Sequence, residues 1–461
     1  MLDFSSSTTI LAHNRTLTCD TRASGLNNNM LVIGPSGSGK TRHVLKPNLL
    51  QMGSSFIVLD TKGTLCREVG PVLAAHGYDV QALDLVHIDC TDWAAPAEPI
   101  RAVGYNPLAQ IRRDRRTGRP SQQDIHTIAH ALCPIEDDSQ PFWDKAASNL
   151  LACLISYVVE QLPPDERDLA SVIKLVEHLS DGATQRLLDE LATVDSASYA
   201  LSLWRRYSIT QTAEKMNASI IGILAEKLMA LGLDGIVALY RAPEQVDFER
   251  IGRAPTALFV CMNDIDRSLD TLASLFVSQA FQELMRAADA SPSGRLGAPV
   301  RFMLDDFANL SIPNIDSILS VVRSREIWVT LLLQSVNQLE ALYGRPRALS
   351  IMGNCDTHLV LAFQDIESAR CYAERANRLP STLFASPLSS SWLFMRGRAA
   401  EEVRRYDLVE HPLYSELPEA QPEPDEFESF CMLSAAETIE FADDELIEED
   451  LELFGWPADA A

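Results

Sequence analysis

Apolar residues form two kinds of pattern along this chain. Short continuous apolar runs, typical of strands buried on both faces, lie towards both ends and cover residues 30–33, 55–59, 77–83, 256–262, 300–304, 328–333 and 358–362. Most of these runs are separated by enough chain for a helix, as in β-strands joined by helical crossovers. The pattern therefore predicts an α/β fold built on a mainly parallel sheet.

Between the two groups of strands, the apolar residues recur at helical spacing. Intervals of three and four residues are clearest at Trp143, Ala146, Ala147, Leu150, Leu151, Leu154, Ile155 and Val158, and they return in 170–179 and 219–231. This predicts an all-helical insertion. We therefore divide the chain into an N-terminal segment (1–24), a first part of the α/β domain (25–119), the helical insertion (120–250), a second part of the α/β domain (251–411) and a C-terminal tail (412–461).

The formal charge of −25 is concentrated in the tail. Residues 406–461 contain 18 Asp or Glu and no Lys or Arg, so the residues before them carry 39 basic and 46 acidic groups. A body this close to neutral can present a basic surface to nucleic acid. The tail also contains apolar residues, among them Phe430, Phe454 and Trp456. It is either a disordered charged terminus or a docking segment, for a basic partner or for the arginine-rich surface of its own chain.

The composition indicates a cytoplasmic protein. No run approaches the roughly 18 consecutive apolar residues of a membrane helix, and the first residues lack the basic and apolar segments of a secretory signal. The nine cysteines are scattered, without a CxxC pair or the Cys/His spacing of a zinc site, so we expect reduced and mostly buried thiols.

The clearest chemical motif is GPSGSGKT, which directly follows the first apolar run. This P-loop comprises Gly34, Pro35, Ser36, Gly37, Ser38, Gly39, Lys40 and Thr41. Its glycines let backbone N–H groups turn inward around phosphate oxygens, Lys40 offers a positive charge to the β and γ phosphates, and the Thr41 hydroxyl can bind Mg²⁺. The alternative is a Gly/Ser-rich turn with an exposed lysine. Because both flanks agree with the motif, we predict a nucleoside triphosphate site.

A strand that ends in two acidic residues adds to this prediction. Asp305 and Asp306 follow the run 300–304; the first would bind Mg²⁺, commonly through water, and the second would orient or deprotonate the attacking water. Asp60 also ends an apolar run and is the rival Mg²⁺ ligand. It ranks lower because TKGT follows it instead of a second carboxylate. The expected cofactors are ATP and Mg²⁺.

Five arginines lie between residues 111 and 120, in the sequence IRRDRRTGRP. They form either a solvated loop or a set of contacts to DNA phosphates, which would add salt-dependent and sequence-independent affinity. No aromatic residues are interleaved with them for stacking on single-stranded bases.

These and further motifs resemble the type IV coupling proteins of conjugative transfer systems. The likeness extends in consistent order over roughly residues 25–375. Its motifs are NNNMLVIGPSGSGKTRHVLKPNLLQ around the P-loop, DTKG at Asp60, YNPL at Tyr105, PFWDKAASNLL at Pro141, RFMLDDFANL at Arg301, RSREI at Arg323, LQSVNQLEALYG at Leu333 and GNCDTHLVL at Gly353. DDFANL, RSREI and the segment around Gln334 are far more specific than the P-loop alone.

The resemblance implies a RecA-like ATPase domain that carries the helical insertion. Such proteins assemble as a homo-oligomeric ring, commonly a hexamer, and pass DNA with its attached relaxase to a type IV secretion channel. By the same resemblance, Lys40 and Thr41 bind the triphosphate and Mg²⁺, and Asp305 binds Mg²⁺.

Three further residue roles follow from the resemblance. Gln334 is the expected sensor of the γ-phosphate. Arg323, with Arg325 as second choice, is the expected arginine finger, a guanidinium that reaches the phosphates of an adjacent subunit and stabilises the charge of the transition state. The alternatives are a surface salt bridge with Glu326 or a nearby acid for the arginines, and a buried, hydrogen-bonded amide for Gln334.

Two departures from the family pattern keep other functions open. Family members usually begin with membrane-spanning helices, whereas about thirty residues precede this P-loop, so recruitment to the inner face of the membrane would need a partner. The usual DEFAN reads DDFAN, which makes the Asp306 base one methylene shorter and predicts slow hydrolysis. A nucleotide-binding adaptor with weak hydrolysis and a cytosolic DNA translocase unrelated to secretion are therefore the alternatives to a DNA-export motor.

Overall fold

The seven apolar runs and three further strands form one ten-stranded sheet in the computed structural model, which describes residues 4, 7–61, 63–87, 99–135, 139–211, 213–263 and 265–420. The strands are β1 (Thr8–Ala12), β2 (Arg15–Thr18), β3 (Met30–Ile33), β4 (Ser55–Asp60), β5 (Asp79–Asp84), β6 (Arg101–Ala102), β7 (Thr256–Cys261), β8 (Val300–Leu304), β9 (Ile327–Leu333), β10 (Thr357–Val360), β11 (Ser390–Met395) and β12 (Glu401–Arg404). The sheet has the order β12-β11-β10-β3-β9-β8-β4-β7-β5-β6, and β1 and β2 form a separate antiparallel hairpin. Only the pairs β10–β11 and β11–β12 of the large sheet are antiparallel. The predicted fold class is confirmed.

Helices connect these strands and fill the interval between β6 and β7. They are α1 (Thr21–Ser24), α2 (Lys46–Leu50), α3 (Thr64–Ala75), α4 (Gln122–Leu132), α5 (Phe142–Gln161), α6 (Leu169–Glu177), α7 (Ala183–Val194), α8 (Tyr199–Gln211), α9 (Glu214–Leu228), α10 (Asp234–Tyr240), α11 (Phe248–Ile251), α12 (Asp270–Ala290), α13 (Ile315–Val321), α14 (Val336–Tyr343), α15 (Arg345–Gly353), α16 (Ile366–Ala376) and α17 (Pro380–Phe384). No strand occurs among the described residues from α4 to α10. An inserted helical domain fits this order, and its boundaries at 120 and 250 stay a prediction.

The strands that lead to the predicted site are fully buried. Every residue of β3, β4, β8 and β9 is buried, which explains their continuous apolar sequences. The predicted bounds of the strands differ from the observed ones by one or two residues. For example, the run 77–83 becomes a strand only at Asp79, because Gly77 has a φ of 90° and turns the chain out of α3.

The first 24 residues, predicted as a separate segment, belong to the compact unit that extends to Tyr414. The backbone N–H of Ile10 donates to Asn48 Oδ1 at 2.8 Å, and that of His13 donates to the Arg404 carbonyl at 3.0 Å. Thr9 Oγ1 accepts from the buried guanidinium of Arg301 at 3.0 Å. The hairpin was not predicted because β1 and β2 are short and rich in threonine, so they contain no long apolar run.

Strands β11 and β12 at the sheet edge were also not predicted. β12 reads EEVR with a single buried residue, as expected of an edge strand that pairs on one side only.

Seven cysteines of the described residues are free thiols and six of these are buried, as expected. None of the helices in the described part of the chain has the length and the apolar character needed to cross a membrane.

Residues 415–461 form a second unit, described only as far as residue 420. Both interpretations of the acidic tail concern mainly residues 421–461, which lie outside the described residues. Lys62, Cys90 and Cys431 also lie outside them.

Candidate nucleotide-binding site

Four neighbouring strands bring the predicted nucleotide-binding residues together at the carboxyl ends of these strands. Gly34 follows β3, Asp60 ends β4, Asp305 follows β8 and Gln334 follows β9. Because β3, β9, β8 and β4 are consecutive and parallel, the loops at their carboxyl ends meet. They form a cavity of about 310 Å³ lined by Pro35, Ser36, Gly37, Ser38, Gly39, Lys40, Thr41, Arg42, Leu59, Asp60, Thr61, Thr64, Leu65, Asp305, Asp306 and Gln334.

The P-loop has the backbone shape that phosphate binding requires. Gly37 and Gly39 have φ values of 75° and 83°, which glycine adopts without strain. A Cβ atom on Gly39 would lie 2.5 Å from Cδ2 of His43, so a larger residue there would displace the imidazole ring. Lys40 Nζ donates to the Gly34 carbonyl at 2.7 Å. The motif therefore forms a turned loop with its lysine beside the loop backbone.

The two consecutive acids are joined to Gln334 by hydrogen bonds. Asp306 has a φ of 45°, and its N–H donates to Asp305 Oδ1 at 3.0 Å. Gln334 Nε2 donates to Asp306 Oδ1 at 3.3 Å. The rival, Asp60, lines the same cavity, but its Oδ2 accepts from the backbone N–H of Cys66 at 2.9 Å and thereby holds the first turn of α3. The structure thus places Asp305, Asp306 and Gln334 in one group and gives Asp60 a structural contact as well.

Negative charge accumulates around Asp305. Burial raises the pKa of its carboxyl group to about 6, and the nearby carboxylates of Asp306 and Asp60 act in the same direction, while Lys40 opposes them. Within the described ranges, no group of three or more His, Cys, Asp or Glu side chains could hold a metal ion by itself. Mg²⁺ usually takes one or two carboxylates together with waters and phosphate oxygens, so an acidic edge without a complete ligand set suits it.

We predict that Asp305→Asn stabilises the protein when neither Mg²⁺ nor nucleotide is present. A carboxyl group whose pKa rises from 3.8 to about 6 on folding costs stability above pH 6, and the cost disappears below the unfolded value of 3.8. Two pKa units correspond to about 3 kcal/mol at pH 8. Urea unfolding in EDTA should show this gain at pH 8 and a smaller one at pH 5. A gain that does not depend on pH would contradict the charge explanation.

The two candidate finger arginines lie at the amino end of β9, on the side of the sheet away from the cavity. Arg323 and Arg325 are in the turn just before β9, whereas the cavity lies beyond the carboxyl end of that strand. Arg325 forms an ion pair with Asp289, with Nε 2.8 Å from Oδ1, so the salt-bridge alternative holds for it with a different acid from Glu326. Arg323 is exposed, and its Nη2 donates to the Thr21 carbonyl at 3.4 Å. Neither arginine can serve the cavity of its own chain.

Most of the arginine-rich loop between residues 111 and 120 is engaged within the chain. Arg112 pairs with Asp124, with Nη2 2.6 Å from Oδ1. Arg113 Nη2 donates to the Val159 carbonyl at 2.6 Å, and Arg119 Nη1 donates to the Ala197 carbonyl at 2.6 Å. These contacts fasten the loop to the helices. All five arginines are exposed, but only Arg115 and Arg116 show no side-chain contact within the described residues, which makes them the best placed to contact phosphate.

Arg405 contacts the P-loop and was not predicted from the sequence. Arg405, just after β12, donates from Nη1 to the Ser38 carbonyl at 3.0 Å. No motif surrounds it and its acceptors are backbone carbonyls, which leave no signature in a sequence. Thr61 and Thr64 of the TKGT segment also line the cavity, and their position after an apolar run could have indicated this.

Comparison with known proteins agrees with this geometry. Residues 8–375 match the family described as type IV secretory system conjugative DNA transfer. Protein VirD4 of Agrobacterium fabrum is 22% identical over 359 residues, which are 73% of this chain and 48% of that protein. Conjugal transfer protein TraG of Escherichia coli is 24% identical over 404 residues, or 83% of this chain and 60% of that protein. The chain thus spans about half the length of the curated relatives it matches first.

Solved structures share the fold. The unbound form of the bacterial conjugative coupling protein TrwBdeltaN70 superposes with a TM-score of 0.63 at 15% identity, covering 91% of this chain and 92% of that one. VirB4 of Thermoanaerobacter pseudethanolicus gives a TM-score of 0.54 at 16% identity, covering 87% and 96%. The RecA-like P-loop fold implied by the resemblance is confirmed. Together with the match over residues 8–375, these findings show that the chain belongs to the type IV secretory system conjugative DNA transfer family.

Proposed function

We propose that this chain binds and hydrolyses ATP at the carboxyl edge of its sheet in order to move DNA, or a relaxase–DNA complex, towards a type IV secretion channel. One observation carries the proposal: Lys40, Thr41, Asp305, Asp306 and Gln334 line a single cavity in a member of a conjugative DNA transfer family. TrwB, which shares the fold, has been solved with the ATP analogue ADPNP and with ADP and Mg²⁺.

The residues present fit a magnesium nucleotide. Gly37 and Gly39 give the loop its inward turn. Burial first, and the carboxylates of Asp306 and Asp60 second, raise the pKa of Asp305, and a divalent cation at this carboxylate would oppose both effects. Thr41 and Asp305 would hold Mg²⁺, which supplies Lewis-acid neutralisation of phosphate charge when bound. Both ligands lie in the cavity with Lys40.

Lys40 is placed to exchange weak acceptors for strong ones. Its ammonium donates to the carbonyls of Gly34 and Pro35, at 2.7 and 3.4 Å. Both acceptors are neutral, so the anionic oxygens of a phosphate would form stronger, charge-assisted hydrogen bonds with the same donor. The side chain therefore lies beside the phosphate position and needs only a local rotation to reach it.

Asp306 and Gln334 couple the recognition of the γ-phosphate to the activation of water. In the structure the Gln334 amide donates a hydrogen bond to Oδ1 of Asp306. When the amide turns to a γ-phosphate, that oxygen becomes free to accept a proton from a water molecule. Loss of this hydrogen bond would raise the basicity of the Asp306 carboxylate when the triphosphate is bound.

The position of Arg323 supports a ring assembly. The side chain is exposed at the amino end of β9, whereas the cavity lies beyond the carboxyl end of that strand. As an arginine finger it could therefore act only on a neighbouring subunit. A closed homo-oligomer, commonly a hexamer in this family, would make hydrolysis depend on assembly.

Asp306 also favours a second candidate, a nucleotide-binding adaptor that hydrolyses slowly. Aspartate is one methylene shorter than the glutamate of the family pattern, and Gln334 already engages it. If short reach limits the rate, Asp306→Glu should raise the turnover number severalfold with unchanged affinity for ADP, and Asp306→Asn should abolish turnover. A loss of turnover in Asp306→Glu would show that the backbone at φ 45° has adapted to aspartate.

DNA-stimulated hydrolysis tests the proposal against its alternatives. The purified chain should hydrolyse ATP faster with added DNA, with a stimulation that falls as salt rises. Nucleotide binding without stimulation would favour the adaptor. Stimulation without co-purification of a relaxase or a secretion-channel protein would favour a cytosolic DNA translocase. Co-purification from membrane fractions tests whether a partner recruits the chain from the cytoplasm to the inner face of the membrane.

A further inference from the structure

Arg405 joins the P-loop to two other parts of the fold. It is not among the residues that line the nucleotide cavity, and its Nη1 donates to the Ser38 carbonyl at 3.0 Å. The other two nitrogens donate as well: Nε donates to the Ser390 carbonyl at 3.0 Å, and Nη2 donates to the Leu361 carbonyl at 2.5 Å. One side chain therefore holds three backbone segments.

The acceptors belong to well-fixed strand ends. The backbone N–H of Leu361 donates to the Ile33 carbonyl at 2.8 Å, directly before the P-loop, and Ser390 begins β11. A P-loop turns its N–H groups inward towards phosphate, which leaves carbonyls on its outer side in need of donors. Arg405 supplies such a donor and ties the Ser38 carbonyl to the ends of β10 and β11.

The next residue holds the loop on the other side of Lys40. The Tyr406 carbonyl lies 2.7 Å from His43 Nδ1, which must be the donor because a carbonyl only accepts. The His43 ring packs against Gly39, where a Cβ atom would approach its Cδ2 to 2.5 Å. Arg405 and Tyr406 thus fix Ser38 and His43, which flank Lys40 in the sequence.

The charge of Arg405 adds to this effect. Its three acceptors are neutral carbonyls, and the described part of the chain shows no carboxylate paired with it. Burial lowers the pKa of Arg405, yet a guanidinium remains charged in proteins. No carboxylate among the described residues therefore cancels this positive charge, and it lies against the loop that would receive phosphate.

We propose that Arg405 is a positioning residue that keeps the P-loop in its phosphate-binding shape and so sets the affinity for nucleotide rather than the rate of bond cleavage. The inference rests on the proposed nucleotide binding in this cavity. It follows from contacts that tie the P-loop carbonyl of Ser38 to two strand ends and do not include Asp305, Asp306 or Gln334.

Arg405→Met and Arg404→Met form a matched pair of variants. Arg404 is the preceding residue, and its side chain is 62% exposed in a surface pair with Glu410, which contributes little to stability. Arg405→Met should weaken the binding of a fluorescent ADP derivative about tenfold and raise KM for ATP to match, with kcat within about threefold. Arg404→Met should leave both within about twofold. Arg405→Lys should recover only part of the affinity, because lysine keeps the positive charge but one ammonium cannot reach three carbonyls.

Hydrogen exchange of the free protein separates this inference from the proposed function. In the nucleotide-free protein, the amides of residues 34–45 should exchange faster in Arg405→Met than in Arg404→Met, whether or not the chain is able to bind nucleotide. Equal exchange in both variants would overturn the positioning role, even if the wild type binds no nucleotide and the proposed function fails. If the wild type binds nucleotide and both variants bind it equally well, the role is overturned and the proposed function stands. Should Arg405→Met not fold, the comparison of Arg405→Lys with Arg404→Lys decides in the same way.

Discussion

Lys40→Ala should reduce ATP turnover by at least about a hundredfold while the protein stays folded. The ammonium is the P-loop's own positive charge, and in the structure it makes hydrogen bonds only of the kind that water can replace, to the carbonyls of Gly34 and Pro35. Removing it therefore costs phosphate binding and little stability. Steady-state hydrolysis, binding of a fluorescent ADP derivative and thermal unfolding measure the three parts of this expectation.

Two controls sharpen the result for Lys40. Lys145→Ala removes an exposed lysine from α5 and should change nothing, which excludes a general effect of lost charge. Lys40→Arg keeps the charge in a planar, larger group and should recover binding without full turnover. Tight ATP binding and normal turnover by a folded Lys40→Ala protein would remove the cavity from consideration as the catalytic site.

Arg323→Ala should retain nucleotide binding and lose hydrolysis by about a thousandfold, the scale of a missing arginine finger. The reason is geometric: Arg323 lies before β9 and the cavity lies after it, so the guanidinium is available only to another subunit. Arg325→Ala is the matched control. Its guanidinium is already paired with Asp289, so its loss should lower stability slightly and spare turnover.

Mixing variants tests the action of Arg323 across subunits. Lys40→Ala protein has an intact Arg323, and Arg323→Ala protein has an intact P-loop. Hybrid rings therefore contain some interfaces with both groups, and combining the two inactive proteins should restore part of the hydrolysis. Full activity of Arg323→Ala alone would remove the finger assignment. Inactivity of every mixture, with exchange of subunits shown separately, would contradict the action of Arg323 across the subunit boundary.

The sequence predicted the centre of the fold and most of the candidate site, for a physical reason. β3, β4, β8 and β9 are buried on both faces, so each reads as an apolar run, and parallel strands align their carboxyl ends. The polar residues that follow such runs must then meet. This is why Asp305 and Asp306 could be placed beside Lys40 before their distances were known, whereas the role of Gln334 came from the family resemblance.

Features that depend on partners distant in the sequence could not be predicted. The glutamate-rich β12 has no apolar run because it pairs on one side only. Arg405 contacts carbonyls at Ser38, Leu361 and Ser390, and a carbonyl is the same for every residue type. The ion pair of Arg325 with Asp289 spans 36 positions, and nothing in RSREI indicates that acid. Single motifs identify chemistry, whereas these contacts exist only once the sheet has formed.

The position of β3 in the sheet has a consequence for the synthesis of the protein. Its neighbours are β9 and β10, and Met30 pairs with Thr330 and Thr357. At about 5–20 residues per second, ribosomes need roughly 15–60 s to reach β9 after β3. During this interval the apolar sequence MLVI has neither partner strand, so a segment prone to aggregation waits for the second half of the chain. Folding is expected to be slow and dominated by distant contacts, and nascent chains stopped before residue 327 should bind chaperones through this strand.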